Sequence, residues 1–348
     1  MSIRLASTGL ALLLTAACNS PEPAFPDGGP APDAPAPDAD PCAQPLAPAP
    51  MSWVLLFDHS GSWTTRSDRF DGLKDAVAGF AAAHPELPLA AVDFPRLDGS
   101  QASCDALAYE RLDPGPRAPA GTLAQAVRGW QAGGASPLGP AITGAGRSAR
   151  GGRAQDSRAH AVVVLTDATP GEDETCGTWD DTAAAAAEVF DHGAFPGVPV
   201  HVVSVMGTAV AADHLPRLAG IAEAGGGYAA FVNGSRSDVA ASARQALEDI
   251  AARGLCTLAL PAGSSRPDTI TITSPDGVAT VASRVPDASL CHAEGFFVDD
   301  SVNPSTATLC SGPAGVGGLC ELTFVRARAV GAPTFEMTDP PAIGCGGI

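Results

Sequence analysis

Three short segments of this chain carry oxygen-bearing side chains of the kind that hold a hard divalent cation. Asp58-His59-Ser60-Gly61-Ser62 offers one carboxylate and two hydroxyls at alternate positions. Gly133-Gly134-Ala135-Ser136-Pro137-Leu138 offers a third hydroxyl in a glycine-rich turn, and Thr166-Asp167 offers a second carboxylate. Mg²⁺ takes oxygen ligands and keeps some of its waters, so loops of this composition suit it. Zinc or redox chemistry has no such support, because the chain contains neither a His-x-x-x-His pair nor a Cys-x-x-Cys pair. Ser60 is not a nucleophile elbow either, since Asp58 and Ser62 stand where that motif needs glycines. No nucleophile–base pair accompanies it, and the expectation is a protein that is not an enzyme.

The three segments gain meaning from the elements that carry them. Trp53–Phe57 is an uninterrupted apolar run that ends at the first segment, and Ala161–Leu165 is another that ends at the second aspartate. Similar runs occur at Leu87–Val92, Val200–Val205 and Tyr228–Val232. Continuous apolarity marks strands buried on both faces, as in a parallel sheet. Helical spacing lies between the runs: Phe70, Leu73, Val77 and Phe80; Leu123, Val127 and Trp130; Leu138, Ile142 and Ala145. Thr178 can cap a helix bearing Trp179, Ala183, Ala186 and Phe190, and Leu215, Leu218 and Ala222 mark another. Ser237 is expected to begin the last, which carries Val239, Ala243, Leu247 and Ile250. This alternation over 51–253 predicts an α/β domain with a doubly wound, mostly parallel sheet. Ligands of such sheets sit outside the carboxyl ends of the strands, so two carboxylates and three hydroxyls share one rim.

With that order and spacing, the chain over 51–253 resembles the von Willebrand factor A domain. Asp58-x-Ser60-x-Ser62 matches the Asp-x-Ser-x-Ser signature of that family's metal ion-dependent adhesion site. Ser136 falls where the family usually has Thr, and Asp167, after Val-Val-Val-Leu-Thr, takes the position of the second aspartate. The resemblance implies that Ser60, Ser62 and Ser136 ligate Mg²⁺, with Mn²⁺ or Ca²⁺ as substitutes. Asp58 and Asp167 then contribute directly or through water, and one position stays open for a carboxylate from a partner protein. Serine in place of threonine keeps the hydroxyl but loosens χ1, which implies a lower affinity than the family norm.

Other polar residues read as scaffold. His59 alternates with the ligands and is expected to turn away from them. Glu172-Asp173-Glu174 reads as a solvated loop on the same rim, and Arg147, Arg150, Arg153 and Arg158 as solvated surface.

The start of the chain suggests export. Residues 1–17 combine Arg4, a short apolar run and small residues, the pattern of a signal peptide. Thr15-Ala16-Ala17-Cys18 resembles a bacterial lipobox, which makes Cys18 a lipidation site; Asn19 then implies sorting to the outer membrane. An outer-membrane or cell-surface lipoprotein, or otherwise a secreted protein, is expected, with the lipid anchor as its only membrane contact. Residues 18–50 are rich in Pro, Ala and Asp, and 19–50 contain eleven prolines and no basic residue. The expectation for 18–50 is an extended tether, at about 3.1 Å per residue. A net charge of −18 excludes nucleic acid as a partner, because its recognition needs basic patches.

Eight further cysteines in an exported chain read as disulfides. Because a strand-first α/β domain returns its last helix to the edge where it began, residues 51 and 253 are expected to be neighbours. Cys42 is therefore expected to pair with a tail cysteine, Cys256 first, and Cys104 and Cys176 to staple the rim. In 254–348, Thr269–Thr273 alternates and meets Val278–Val281 through a Ser-Pro-Asp-Gly turn, a hairpin. Phe296–Val298 and Leu322–Val325 add strand candidates, and the whole reads as a small disulfide-rich β domain.

Taken together, these features predict a cell-surface adhesion or ligand-binding lipoprotein. The alternative is a structural or assembly component of the envelope whose metal site is vestigial.

Overall fold

The protein is described from a computed structural model, which covers residues 43–98, 101–115, 118–153, 158–167, 176–190, 197–206, 214–254, 256–260, 267–273, 277–286, 294–298, 306–310 and 334–338. The chain enters as β1 (Ala43–Pro48), β2 (Met51–Asp58), α1 (Ser67–Ala83) and β3 (Leu89–Phe94). A small hairpin of β4 (Leu97–Asp98) and β5 (Gln101–Ala102) precedes α2 (Ala120–Gly129) and α3 (Leu138–Arg153). There follow β6 (Ala159–Thr166), α4 (Trp179–Phe190), β7 (Val200–Val205), α5 (His214–Ala224), β8 (Ala229–Val232) and α6 (Arg236–Gly254). Six strands complete the chain: β9 (Thr257–Ala259), β10 (Thr269–Thr273), β11 (Ala279–Arg284), β12 (Gly295–Val298), β13 (Thr306–Leu309) and β14 (Thr334–Thr338).

Five strands form one sheet in the order β3-β2-β6-β7-β8, every neighbour parallel. This is the doubly wound parallel sheet expected from the apolar runs, although β3 starts two residues later than its run. Alternate residues of each strand feed two separate cores. Trp53, Leu55, Phe57, Val163 and Leu165 pack with residues of α1, α2 and α6, and Trp53 stacks on Phe80 with ring centroids 5.2 Å apart. Val54, Leu56, Val162 and Val164 pack with residues of α3, α4 and α5. Helices on both faces explain why these strands lack polar alternation.

Local chemistry sets the helix starts. The Thr178 hydroxyl accepts from the Asp181 N–H at 3.2 Å, while the Asp181 carboxylate accepts from the Thr178 N–H at 2.8 Å. This reciprocal cap fixes the start of α4. The same exchange between Ser235 and Asp238 caps α6, so that the helix starts at Arg236, one residue before the start expected at Ser237. A cap at Ser235 has Asp238 at the third helical position, which satisfies a second orphan N–H, whereas a cap at Ser237 would have Ala240 there.

The remaining seven strands close into a barrel in the order β1-β14-β10-β11-β12-β13-β9. Leu46, Leu258, Ile270, Ile272, Phe296, Val298 and Leu309 fill it. β10 and β11 pair antiparallel, as the hairpin expectation required. The barrel corrects one boundary. Residues 43–48, read above as the end of the tether, form a barrel strand, with Ala43–Leu46 laddered to β14 and Ala47–Pro48 to β9. β1 is thus laddered on one side at a time, the edge-like situation in which a strand tolerates proline. An extended proline-rich segment and a strand share the same region of backbone space.

The α/β domain therefore leaves the barrel at β1 and re-enters it at β9. Ala49 N–H donates to the Thr257 carbonyl at 2.7 Å, and a Cβ built on Gly254 would overlap the Met51 sulfur. The two ends of the domain are adjacent. Cys256 and Cys310 are both disulfide-bonded. Residues 1–42, including Cys18 and Cys42, lie outside the described residues, as do Leu322–Val325 and Glu172–Glu174. Among the described residues, no helix is long and apolar enough to cross a membrane.

Candidate metal centre

The carboxyl ends of β2 and β6 lie side by side, with Phe57 in register with Leu165. The chain continues from one into Asp58 and from the other into Thr166 and Asp167. Both aspartates are fully buried. One Asp58 oxygen accepts from the Ser60 N–H at 2.8 Å, which bends the loop back over the strand end. The other accepts from the Thr166 hydroxyl and, at a long 3.5 Å, from the Ser136 hydroxyl. Ser60 and Ser62 hydroxyls are 3.0 Å apart, and Ser62 donates to Asp167 Oδ1 at 2.7 Å. Arg66 Nη1 lies 3.3 Å from Asp167 Oδ2.

The glycine-rich turn is clamped to this loop by its backbone. Gly133 N–H donates to the His59 carbonyl and Gly61 N–H to the Gly134 carbonyl, each at 2.7 Å. Gly134 has φ +85°, and a Cβ there would fall 2.7 Å from Pro95 Cγ. Only glycine accepts both that backbone and that approach. Ser136 follows two residues later, and α3 starts at Leu138. A disulfide joins Cys104, past β5, to Cys176 at the entry to α4, with Cα atoms 5.2 Å apart.

Two buried carboxylates so close repel each other. Asp167 is pushed up to about 7, by burial first and the Asp58 charge second, against the Ser62 hydroxyl and the Arg66 charge. Burial also raises Asp58, although hydrogen bonds from Thr166 and Ser60 oppose it. A cation between them would relieve both effects. The donors are three hydroxyls and two carboxylates, all hard oxygen, which fits Mg²⁺, Mn²⁺ or Ca²⁺ and not a thiophilic metal.

The structure thus gathers Asp58, Ser60, Ser62, Ser136 and Asp167 at one rim. His59 turns away, its Nε2 3.5 Å from Asp93 Oδ2. Burial works against ionisation of Asp93, but contacts from His59 and Arg96 outweigh it and hold the carboxyl at about 2. Arg147 pairs with Glu110 at 3.1 Å, and Arg150 donates to the Glu188 carbonyl. Sequence reasoning missed two contributors. Thr166 could have been found from the β2–β6 register, which sets it opposite Asp58. Arg66 belongs to no motif and carried no signal.

No protein-family model and no curated protein matches this sequence. Solved structures with a related course of the chain include a von Willebrand factor type A protein from Catenulispora acidiphila, at 16% identity and a TM-score of 0.43. The match covers 84% of this chain, which spans only 59% of that protein's length. BatB from Bacteroides thetaiotaomicron matches at 18% identity over 58% of this chain and 98% of its own, with a TM-score of 0.38. The vWF domain of the type V pili tip protein Mfa5 from Porphyromonas gingivalis matches at 10% identity over 58% of this chain and 95% of its own, with a TM-score of 0.42.

Proposed function

We propose that this chain is a surface-displayed binding protein whose rim site takes one divalent cation and, through it, an acidic group of a partner protein. One observation carries the reading: side chains from three separated segments bring two buried carboxylates and three hydroxyls together at the carboxyl edge of a parallel sheet. Asp58, Ser60, Ser62, Ser136 and Asp167 would hold Mg²⁺, with Mn²⁺ or Ca²⁺ as substitutes. When bound, the ion supplies a Lewis-acid position that accepts an outside carboxylate. The chain's own residues do the positioning. The Ser60 N–H and the Thr166 hydroxyl fix Asp58, while the Ser62 hydroxyl fixes Asp167. The function is binding rather than catalysis.

The same reading places the protein outside the cytoplasm, held to a membrane through lipidated Cys18. The lipobox-like sequence supports this, and so does the Cys104–Cys176 disulfide, since such bonds persist in oxidising compartments. Loss of metabolic fatty-acid labelling on Cys18→Ser tests the anchor.

The function is tested by binding of the full chain to an immobilised library of Asp- and Glu-bearing peptides. Capture is expected in Mg²⁺ or Mn²⁺ and is expected to vanish with chelator or Asp58→Ala. Capture indifferent to both would leave the site vestigial and favour a structural or assembly role in the envelope.

A further inference from the structure

Arg66 sits where it can interfere with the cation site. It follows the 3-10 turn Gly61–Thr65 and directly precedes α1. Its backbone is pinned from both sides: its N–H donates to the Trp63 carbonyl at 2.9 Å, and its carbonyl accepts from Arg69 and Phe70 at 3.0 Å each. Trp63 is itself fully buried against Phe70. The side chain, about one-fifth exposed (21%), reaches inward from this fixed point to a carboxylate with no exposure.

Both oxygens of Asp167 are thereby engaged, one by the Ser62 hydroxyl and the other by Arg66. The Arg66 contact, at 3.3 Å, is longer than the 2.7–2.9 Å of a closed charge-assisted bond, so it is the looser of the two. A guanidinium here partly neutralises the buried carboxylates in the absence of a metal. It also places a like charge beside any cation they hold.

Resting on the metal-site reading above, we propose that Arg66 is a resident counter-cation that competes with the divalent ion for Asp167 and so sets the affinity of the site. A full charge at this range moves the equilibrium of a charged neighbour by about one to three decades. Replacing Arg66 with a neutral side chain should therefore tighten divalent-ion binding by roughly tenfold or more. Arg66→Gln removes the charge and keeps hydrogen-bonding capacity, whereas Arg66→Lys keeps the charge.

The test is calorimetric titration of chelator-treated full chain with Mn²⁺ alone, in wild type and both variants. Tighter binding by Arg66→Gln, with Arg66→Lys close to wild type, is expected. A merely structural role for Arg66 would not separate the two variants by charge. Equal affinities in all three proteins overturn the competition and leave the metal site standing, and weaker binding by Arg66→Gln does the same. If none of the three binds Mn²⁺, the site reading falls and the competition falls with it. Thermal melts of the metal-free proteins establish that each variant is folded.

Discussion

His201 offers a test of the α/β core that does not depend on any ligand. It lies within β7, 8% exposed, and its Nδ1 accepts the Tyr228 N–H at 3.0 Å. Arg253 lies 4.2 Å over the Tyr228 ring. Burial first, and the Arg253 charge second, lower the imidazole from 6.5 to about 3. The folded state therefore refuses a proton that the unfolded chain takes up near pH 6.5. Stability from this group is fully present above pH 6.5 and is lost as the pH falls toward 3. At about 1.36 kcal/mol per pH unit, the loss is about 2 kcal/mol by pH 5 and about 5 kcal/mol near pH 3. His201→Gln retains an acceptor for Tyr228 and cannot titrate. Urea unfolding of both proteins at pH 7 and pH 5 should show wild type losing about 2 kcal/mol more than the variant over that interval. The protection factor of the Tyr228 amide, corrected for the intrinsic pH dependence of exchange, should fall more in wild type than in the variant on acidification. Equal losses in the two proteins between pH 7 and pH 5 would refute a neutral, buried His201.

Two further outcomes follow from contacts already described. Thr166→Val removes a buried hydroxyl that donates to Asp58 and should cost about 1–3 kcal/mol in chelator, with weaker divalent-ion binding, while Thr166→Ser should retain both. Denaturant midpoints check this, and a valine variant within about 0.5 kcal/mol of wild type would count against the bond. In α1, a Cβ on Gly72 would lie 2.5 Å from the Arg236 carbonyl oxygen, but on Gly79 no nearer than 3.8 Å to the Arg244 side chain. Gly72→Ala should therefore cost about 1–3 kcal/mol by forcing α1 from α6, and Gly79→Ala should gain up to about 1 kcal/mol from helix propensity. Comparable melting temperatures for the two variants would show that α1 and α6 do not pack this closely.

The sheet was legible because burial on both faces removes polar alternation, leaving apolar runs such as Trp53–Phe57 and Ala161–Leu165 that admit few other readings. The rim segments were legible for a related reason: strand ends of a parallel sheet are where polar residues must appear. The barrel was only half legible. β10 alternates and follows the rule for a sheet with one solvated face, with Ile270 and Ile272 buried between threonines. β9 spans three residues and β13 four, too few for any period to register. β1 was hidden by its own prolines, since composition reports that Pro45 and Pro48 cannot donate and says nothing of whether a ladder needs them to. Thr166 and Arg66 were missed because their roles arise between elements, from strand register and from a side chain crossing to a different loop.

The barrel and the rim occupy opposite ends of one strand, and this follows from the connectivity rather than from packing. β2 starts at Met51, against the barrel junction, and ends at Asp58, in the site. Eight residues at about 3.3 Å each separate the two by roughly 25 Å. Because β1 and β9 pair with each other, the α/β domain is closed at its base by the ladder that closes the barrel. Opening the barrel at that seam would remove the ladder that joins the two ends of the domain, although β1 would stay paired with β14 and β9 with β13, which links the integrity of the β domain to the fixed position of β2.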